Sequence, residues 1–173
     1  MQLVFSEAEA SNAEALVRLI NCAYRGETSR LGWTTEADLL SGSRTDLTDI
    51  LDLLGAPDSI ILTGRCRQEL LACVHLQKTG QQVQFSMLAV APGRQNQGIG
   101  KQLLAAAETK AQQRWAITEF AMWVIDHRPE LLSFYQRRGY QLTGDSRTFP
   151  VNAALWQAKV SGLRLELLVK KLP

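Results

Sequence analysis

A chain of 173 residues with ordinary apolar and charged fractions suits one domain with a sizeable core, read here as residues 1–173. A formal net charge of +2 is too small to argue for a nucleic-acid partner, and no arginine-rich tail adds to it. No apolar run nears the roughly 20 residues of a membrane span, and the first residues lack a signal peptide's pattern, so no membrane partner is expected. Cys22, Cys66 and Cys73 form no C-x-x-C pair and read as reduced thiols of a cytoplasmic protein; two histidines give no zinc ligand set, so no metal is expected.

Taken in order, Gln2 to Phe5 suits a short strand, and Ser11-x-x-Glu14 has the pattern of a capping box. The helix it opens carries Leu16, Leu19, Ile20 and Ala23 on one face and ends near Gly26. A polar loop to Thr34 holds Arg25, Arg30 and Trp33, and a short helix is predicted over Glu36 to Leu40. Another helix starts near Thr45 or Asp46 and stops before Pro57. The period then changes to that of strands over Ser59–Thr63, Leu70–Leu76 and Gln82–Val90, whose short links imply an antiparallel meander. A long helix should run from Ile99 to about Trp115, so the strand Thr118–Ile125 lies parallel to the one before the helix. Pro129 and Gly139 bound a compact helix, and Tyr140–Thr143 is a further strand. Gly144–Gly162 reads as irregular, and Leu163–Lys170 alternates apolar and polar as a closing strand with one face buried. The pattern is α+β, a mixed central sheet flanked by helices.

The chemistry is concentrated where the strand ending at Val90 runs through Ala91-Pro92-Gly93-Arg94 into Gln95-Asn96-Gln97-Gly98-Ile99-Gly100-Lys101 and a helix. The first N–H groups of a helix lack partners and carry partial positive charge, and small residues let a phosphate approach them. Arg94 and Lys101 add charge nearby. Gly93 and Gly98 have Walker A spacing, but Ile99 stands where the lysine should be, and Gly98, Gly100 and Leu103 leave a dinucleotide fingerprint incomplete. The pattern met in full is Q/R-x-x-G-x-G/A after a strand. With it, the chain resembles the GNAT superfamily of N-acetyltransferases, and the order of elements extends that likeness over most of the chain.

The resemblance implies a GNAT-type acyl-CoA N-acyltransferase fold, with acetyl-coenzyme A as co-substrate and the pantetheine arm between two splayed strands. Cofactor binding carries over onto Leu88, Ala89 and Val90 and onto Gln95, Asn96, Gln97, Gly98, Ile99, Gly100 and Lys101. Tyr135, in Phe134-Tyr135-Gln136-Arg137-Arg138-Gly139-Tyr140, matches the family's general acid. Its phenol, of ordinary pKa about 10, can give a proton to a departing thiolate. Two positions depart from the family. Arg128 stands where an asparagine is often found, and Phe85-Ser86-Met87-Leu88 holds no carboxylate to act as base. Asp126, His127 or a water chain are left for that role. Tyr24, Arg25, Trp33 and Arg128 are the candidates for the acceptor groove, with Arg30 near them. Arginines there would suit an acceptor that carries a carboxylate or phosphate besides its amine.

The reading is an N-acetyltransferase that joins acetyl to a primary amine of a small molecule or peptide by direct attack in a ternary complex. A non-catalytic acyl-coenzyme A sensor is the alternative, and a nucleotide-binding domain of another class the third. The C-terminal region could supply a strand to a homodimer.

Overall fold

Alternation and helical periodicity resolve, in a computed structural model that describes residues 2–173, into strands and helices arranged around one large sheet. Strand β1 (Val4–Glu7) is followed by helices α1 (Ala13–Tyr24) and α2 (Gly26–Ser29), strand β2 (Leu40–Gly42) and helix α3 (Leu47–Gly55). The meander is β3 (Ser59–Cys66), β4 (Glu69–Thr79) and β5 (Gln82–Val90). After it come α4 (Ile99–Trp115), β6 (Glu119–Ile125), α5 (Pro129–Gln136), β7 (Gln141–Thr148), β8 (Trp156–Ala158) and β9 (Arg164–Lys171). The seven-stranded sheet has the order β1-β3-β4-β5-β6-β9-β7, and β2 pairs with β8 in a small second sheet. Among the described residues only β5 and β6 run parallel, as a helical crossover between neighbours requires.

Helices cover both faces of the sheet. On one, Leu16, Leu19 and Ile20 of α1 and Ile50 of α3 pack against Ile61 and Cys73. On the other, Leu103, Leu104, Ala107 and Ala111 of α4 and Tyr135 of α5 pack against Ile60, Leu62 and Phe120. Ile60 and Ile61 are neighbours in sequence and go to opposite cores, as the alternation of a strand demands.

The phase of β5 changes partway. Val83 and Phe85 belong to the α4 side, but Met87 and Ala89 belong to the α1 side. Cys73 sits opposite Ala89 and His75 opposite Ser86, so Met87 and Leu88 together face Val74 alone. Met87 takes a left-handed φ of 49°, which is what one extra residue in a strand needs. This bulge also separates β5 from β6. They pair only at Val83–Phe120 and Gln84–Ala121 and then part.

Four expectations are corrected. Ser11 and Glu14 form no capping box, because a turn of 3-10 helix, Ala10–Asn12, starts the helical segment earlier and Asn12 Oδ1 accepts from the Glu9 N–H at 3.0 Å. No helix forms over Glu36 to Leu40: the Leu39 and Leu40 N–H groups close a turn on Glu36 O, and Leu40 enters β2. The stretch from Gly144 to Gly162 is partly ordered, since β7 runs on to Thr148 and β8 answers β2. In β9 the buried residues are Leu165 and Leu168, not a single alternating set. It lies between β6 and β7, so both its faces are covered in part.

Candidate active site

Where β5 leaves β6, two cavities open in the gap, and they meet at Tyr24, Leu88 and Leu131. The first, of about 460 Å³, runs over the glycine loop and the start of α4 to Phe134, Arg137 and Arg138 of the segment after β6. The second, of about 240 Å³, lies towards Arg25, Glu36, Arg44, Ser86, Tyr135 and Arg147.

In the first cavity the main chain supplies the polar surface. From Asn96 to Lys101 no main-chain N–H finds an acceptor among the described residues, and the first helical bond runs from the Gln102 N–H to Gly98 O. These donors are the ones a helix leaves unpaired at its start. Gly98 sits at φ +76 with open space where a Cβ would stand, and Asn96 at φ +62 turns the loop. Lys101, Arg137 and Arg138 also line this cavity. Among its residues the one carboxylate, Glu130, is already paired with Arg128 at 2.7 Å. The cradle therefore fits a diphosphate in shape and charge. Arg94 does not join it, because it pairs with Glu69 at 3.3 Å. Ile99 gives only its main chain, its side chain being buried in the core.

Gln95 acts differently from its neighbours. Its Oε1 accepts from the Trp33 N–H at 2.8 Å, and its Nε2 donates to Thr34 Oγ1 at 2.8 Å and to Val90 O at 3.1 Å. Its own N–H donates to Pro92 O. Every polar group that could reach a ligand is spent on protein, so Gln95 latches the loop after α2 onto the end of β5. The latch needs Gly32, whose Cβ, if present, would stand 2.5 Å from Gln95 Oε1. Leu88 and Val90 turn their main chains into the gap, with Leu88 O accepting from the Tyr24 phenol at 2.6 Å. Ala89 does not: the Ala91 N–H bonds Leu71 O, so by alternation Ala89 faces its partner Cys73 on β4.

Tyr135 is buried on α5, edge-on to Phe134 and Tyr140, and lines the second cavity. Burial pushes its phenol above the ordinary range, against the pull of Arg128 and Arg138. Tyr24 is pushed up too, by burial first and then by Tyr135 and Glu36. The remaining acceptor candidates divide. Arg25 lines the second cavity, but Trp33 packs on Phe134 at 5.6 Å and lines the first. Arg128 lines neither, since it is folded beneath Glu36 and Glu130. Arg30 is turned to Glu27 and Asp38 outside both. His127 also lies outside them: after Ile125 the chain turns away, and the exposed ring bonds Asp126 Oδ1 at 2.6 Å. Asp126 is further held by the Arg164 N–H.

Sequence reasoning missed a chain of three side chains behind the bulge. The Ser59 hydroxyl donates to Leu53 O at 2.6 Å, so at the 2.9 Å contact with His75 the imidazole Nε2–H must be the donor. His75 Nδ1 then accepts from the Ser86 hydroxyl at 2.9 Å, which leaves the Ser86 lone pairs facing the second cavity. Burial, with the nearby Arg44 charge, pulls His75 down to about 4, so the imidazole is neutral at working pH. The signal was cross-strand: His75 and Ser86 are direct partners once the bulge sets the register.

A family model described as "Acetyltransferase (GNAT) domain" matches residues 57–142, which span the meander, the glycine loop, α4, β6 and α5. The chain belongs to the GNAT acetyltransferases. Among solved structures, the GNAT fold of this chain is similar to PaiA N-acetyltransferase of Thermoplasma acidophilum in complex with coenzyme A, at a TM-score of 0.66 and 15% identity over 99% of this chain and 100% of that one. A GNAT family acetyltransferase of Elizabethkingia anophelis with acetyl-CoA bound gives 0.66 and 18% over 98% of each chain. The ribosomal-protein-S18-alanine N-acetyltransferase of Escherichia coli gives 0.71 and 12%, over 98% and 94%. At these identities the likeness is one of fold. No curated protein sequence matches the chain.

Two predictions follow from this geometry. Gly32→Ala should cost about 1–3 kcal/mol, because the Gln95 amide can swing aside but gives up its hydrogen bonds in doing so; in a Gln95→Ala background most of that cost should vanish, as read from urea midpoints in a double-mutant cycle. The second concerns pH. Between pH 6.5 and about 4 the unfolded chain binds a proton at His75 that the folded protein refuses. Stability should therefore fall by about 2–4 kcal/mol as pH drops through that window, and His75→Gln should remove this part of the pH dependence.

Proposed function

We propose that the protein transfers acetyl from acetyl-coenzyme A to a primary amine by direct attack within a ternary complex. The observation that carries this reading is the run of unpartnered N–H groups from Asn96 to Lys101, opening on a cavity that meets a second one at Leu88. Those donors, with Lys101, Arg137 and Arg138, would hold the diphosphate of the coenzyme. Leu88 and Val90, with no strand facing them across the gap, offer main-chain N–H groups to its pantetheine arm. The coenzyme supplies an activated acetyl thioester; orientation and proton handling belong to the protein.

Tyr135, on the wall of the second cavity, holds its proton at neutral pH, with its pKa raised by burial, for delivery to a leaving thiolate. Ser86, directed by His75, presents a lone pair to the amine N–H and so orients the nucleophile. An imidazole held near 4 is too weak a base to take a proton from an alkylammonium ion. The acceptor must arrive as the free amine, a form that the arginines of the second cavity favour by repelling the charged one. The proton its nitrogen sheds as the amide forms replaces the one Tyr135 has given to the thiolate. The family relation supports this enzymatic reading over a non-catalytic sensor of acyl-coenzyme A, and the free cysteines suit a reducing compartment such as the cytoplasm.

Calorimetric titration with acetyl-coenzyme A tests the cradle. Saturable binding to the wild type should be lost in Gly98→Trp, which fills the open space above a left-handed residue, with folding checked by circular dichroism. No binding to wild type freed of endogenous coenzyme would overturn the reading. Tyr135→Phe should lower kcat about 10–100-fold and leave coenzyme affinity unchanged, as measured by thiol release with an amine panel. Wild-type binding with silence towards every amine would favour the sensor instead.

A further inference from the structure

The second cavity has more positive charge than its own residues neutralise. Arg25 lines it with its side chain 3% exposed and pairs with Glu36. Arg128, 4% exposed and outside the cavity, lies behind the same carboxylate and has its own partner in Glu130 at 2.7 Å. Glu36 bonds Arg25 Nη1 directly, but stands 3.7 Å from Arg128 Nη1, beyond hydrogen-bond reach. Arg25 Nε, Arg25 Nη2 and Arg128 Nη1 are left buried without an acceptor. A guanidinium keeps its proton at any working pH, so each such N–H stays unfavourable until an anion meets it.

Besides Arg25, two arginines line the same space. Arg44 lines it, and its charge is felt at Tyr24, Arg25 and His75 on the surrounding elements. Arg147 reaches in from β7, its guanidinium 4.2 Å from the centre of the Trp123 ring. Among the described residues neither has a carboxylate within ion-pair distance, and Glu36 is the one acid lining the cavity. The space is small, below the roughly 300–1,000 Å³ of pockets that take drug-sized ligands, which suits a molecule of amino-acid size.

We infer that the acceptor is a small amine that also carries an oxyanion, a carboxylate or a phosphate, and that Arg25 and Arg44 bind that group while the amine points to Ser86 and Leu88. The inference rests on the acetyl-transfer reading for the word acceptor, but the anion site stands on its own geometry. Oxyanions satisfy guanidinium N–H groups in pairs, which a neutral ligand cannot do for a buried charge. The same arginines exclude polyamines, which one GNAT-fold neighbour, a spermidine/spermine N-acetyltransferase of Vibrio cholerae, is named for.

The test uses the full chain with acetyl-coenzyme A and matched acceptors: an aliphatic amino acid, its carboxamide, the corresponding alkylamine, an aminoalkyl phosphate and spermidine. Thiol release should give kcat/KM at least about tenfold higher for an anionic amine than for its uncharged partner. Whether carboxylate or phosphate leads then names the anion. Arg44→Gln should erase most of that preference by raising KM, and Arg44→Lys should restore part of it. Equal or better turnover of the carboxamide, alkylamine or spermidine overturns the anionic acceptor and leaves acetyl transfer standing. If no amine is turned over, calorimetry of the amino acid and aminoalkyl phosphate on the coenzyme-loaded protein decides. Binding weakened about tenfold in Arg44→Gln sustains the anion site and sinks acetyl transfer; no binding of either overturns the site.

Discussion

A strand in mid-sheet must pair on both edges or find other partners for its main chain, and beyond Gln84 β5 does not pair with β6. The extra residue at Met87 turns the strand, ends its pairing with β6 after Gln84 and exposes the edge at Leu88 and Val90. Buried main-chain groups cannot be left unpaired without cost, so the protein brings in side chains. The Tyr24 phenol takes Leu88 O and the Gln95 amide takes Val90 O. Both cavities exist because of that parting, and the residues that cap the broken edge are also those that shape their walls.

The same bulge sets the register that places Ser86 against His75, and it reverses which side of the sheet the odd-numbered residues of β5 meet. A one-residue change of phase would normally expose half of a strand's apolar set. Here both faces are covered, by α4 on one side and α1 on the other, and the phase change transfers Met87 and Ala89 from one core to the other at no loss of burial. The site is thus supported by two cores rather than one, with the functional main chain lying at their boundary.

Local features were readable from the residues alone. The ends of β5 and α4 could be placed closely, because Pro92, Gly98 and the Ile99–Leu103–Leu104–Ala107 spacing act within a few residues. The glycine loop was legible for the same reason. What escaped depends on distant partners. Residues 40–42 form a strand because Trp156–Ala158 lies against them, where Gly42 meets Leu155 O so closely that a Cβ would overlap it. Glu36 reads as a surface acid until Arg25 and Arg128, one from the end of α1 and one from the turn before α5, close over it. Trp33 and Arg25 are close in sequence but stand in different cavities, and only the path of the loop through Gly32 separates them.

The Gln95 amide has a consequence for how the two cavities are connected. One planar group ties Trp33 and Thr34 to Val90, so the loop after α2 and the end of β5 share a single anchor. Trp33 O in turn accepts from Arg128 Nη2 at 3.4 Å, and Arg128 lies 3.7 Å from Glu36, the acid of the second cavity. The walls of the two cavities are thus tied through one side-chain amide that reaches no ligand itself.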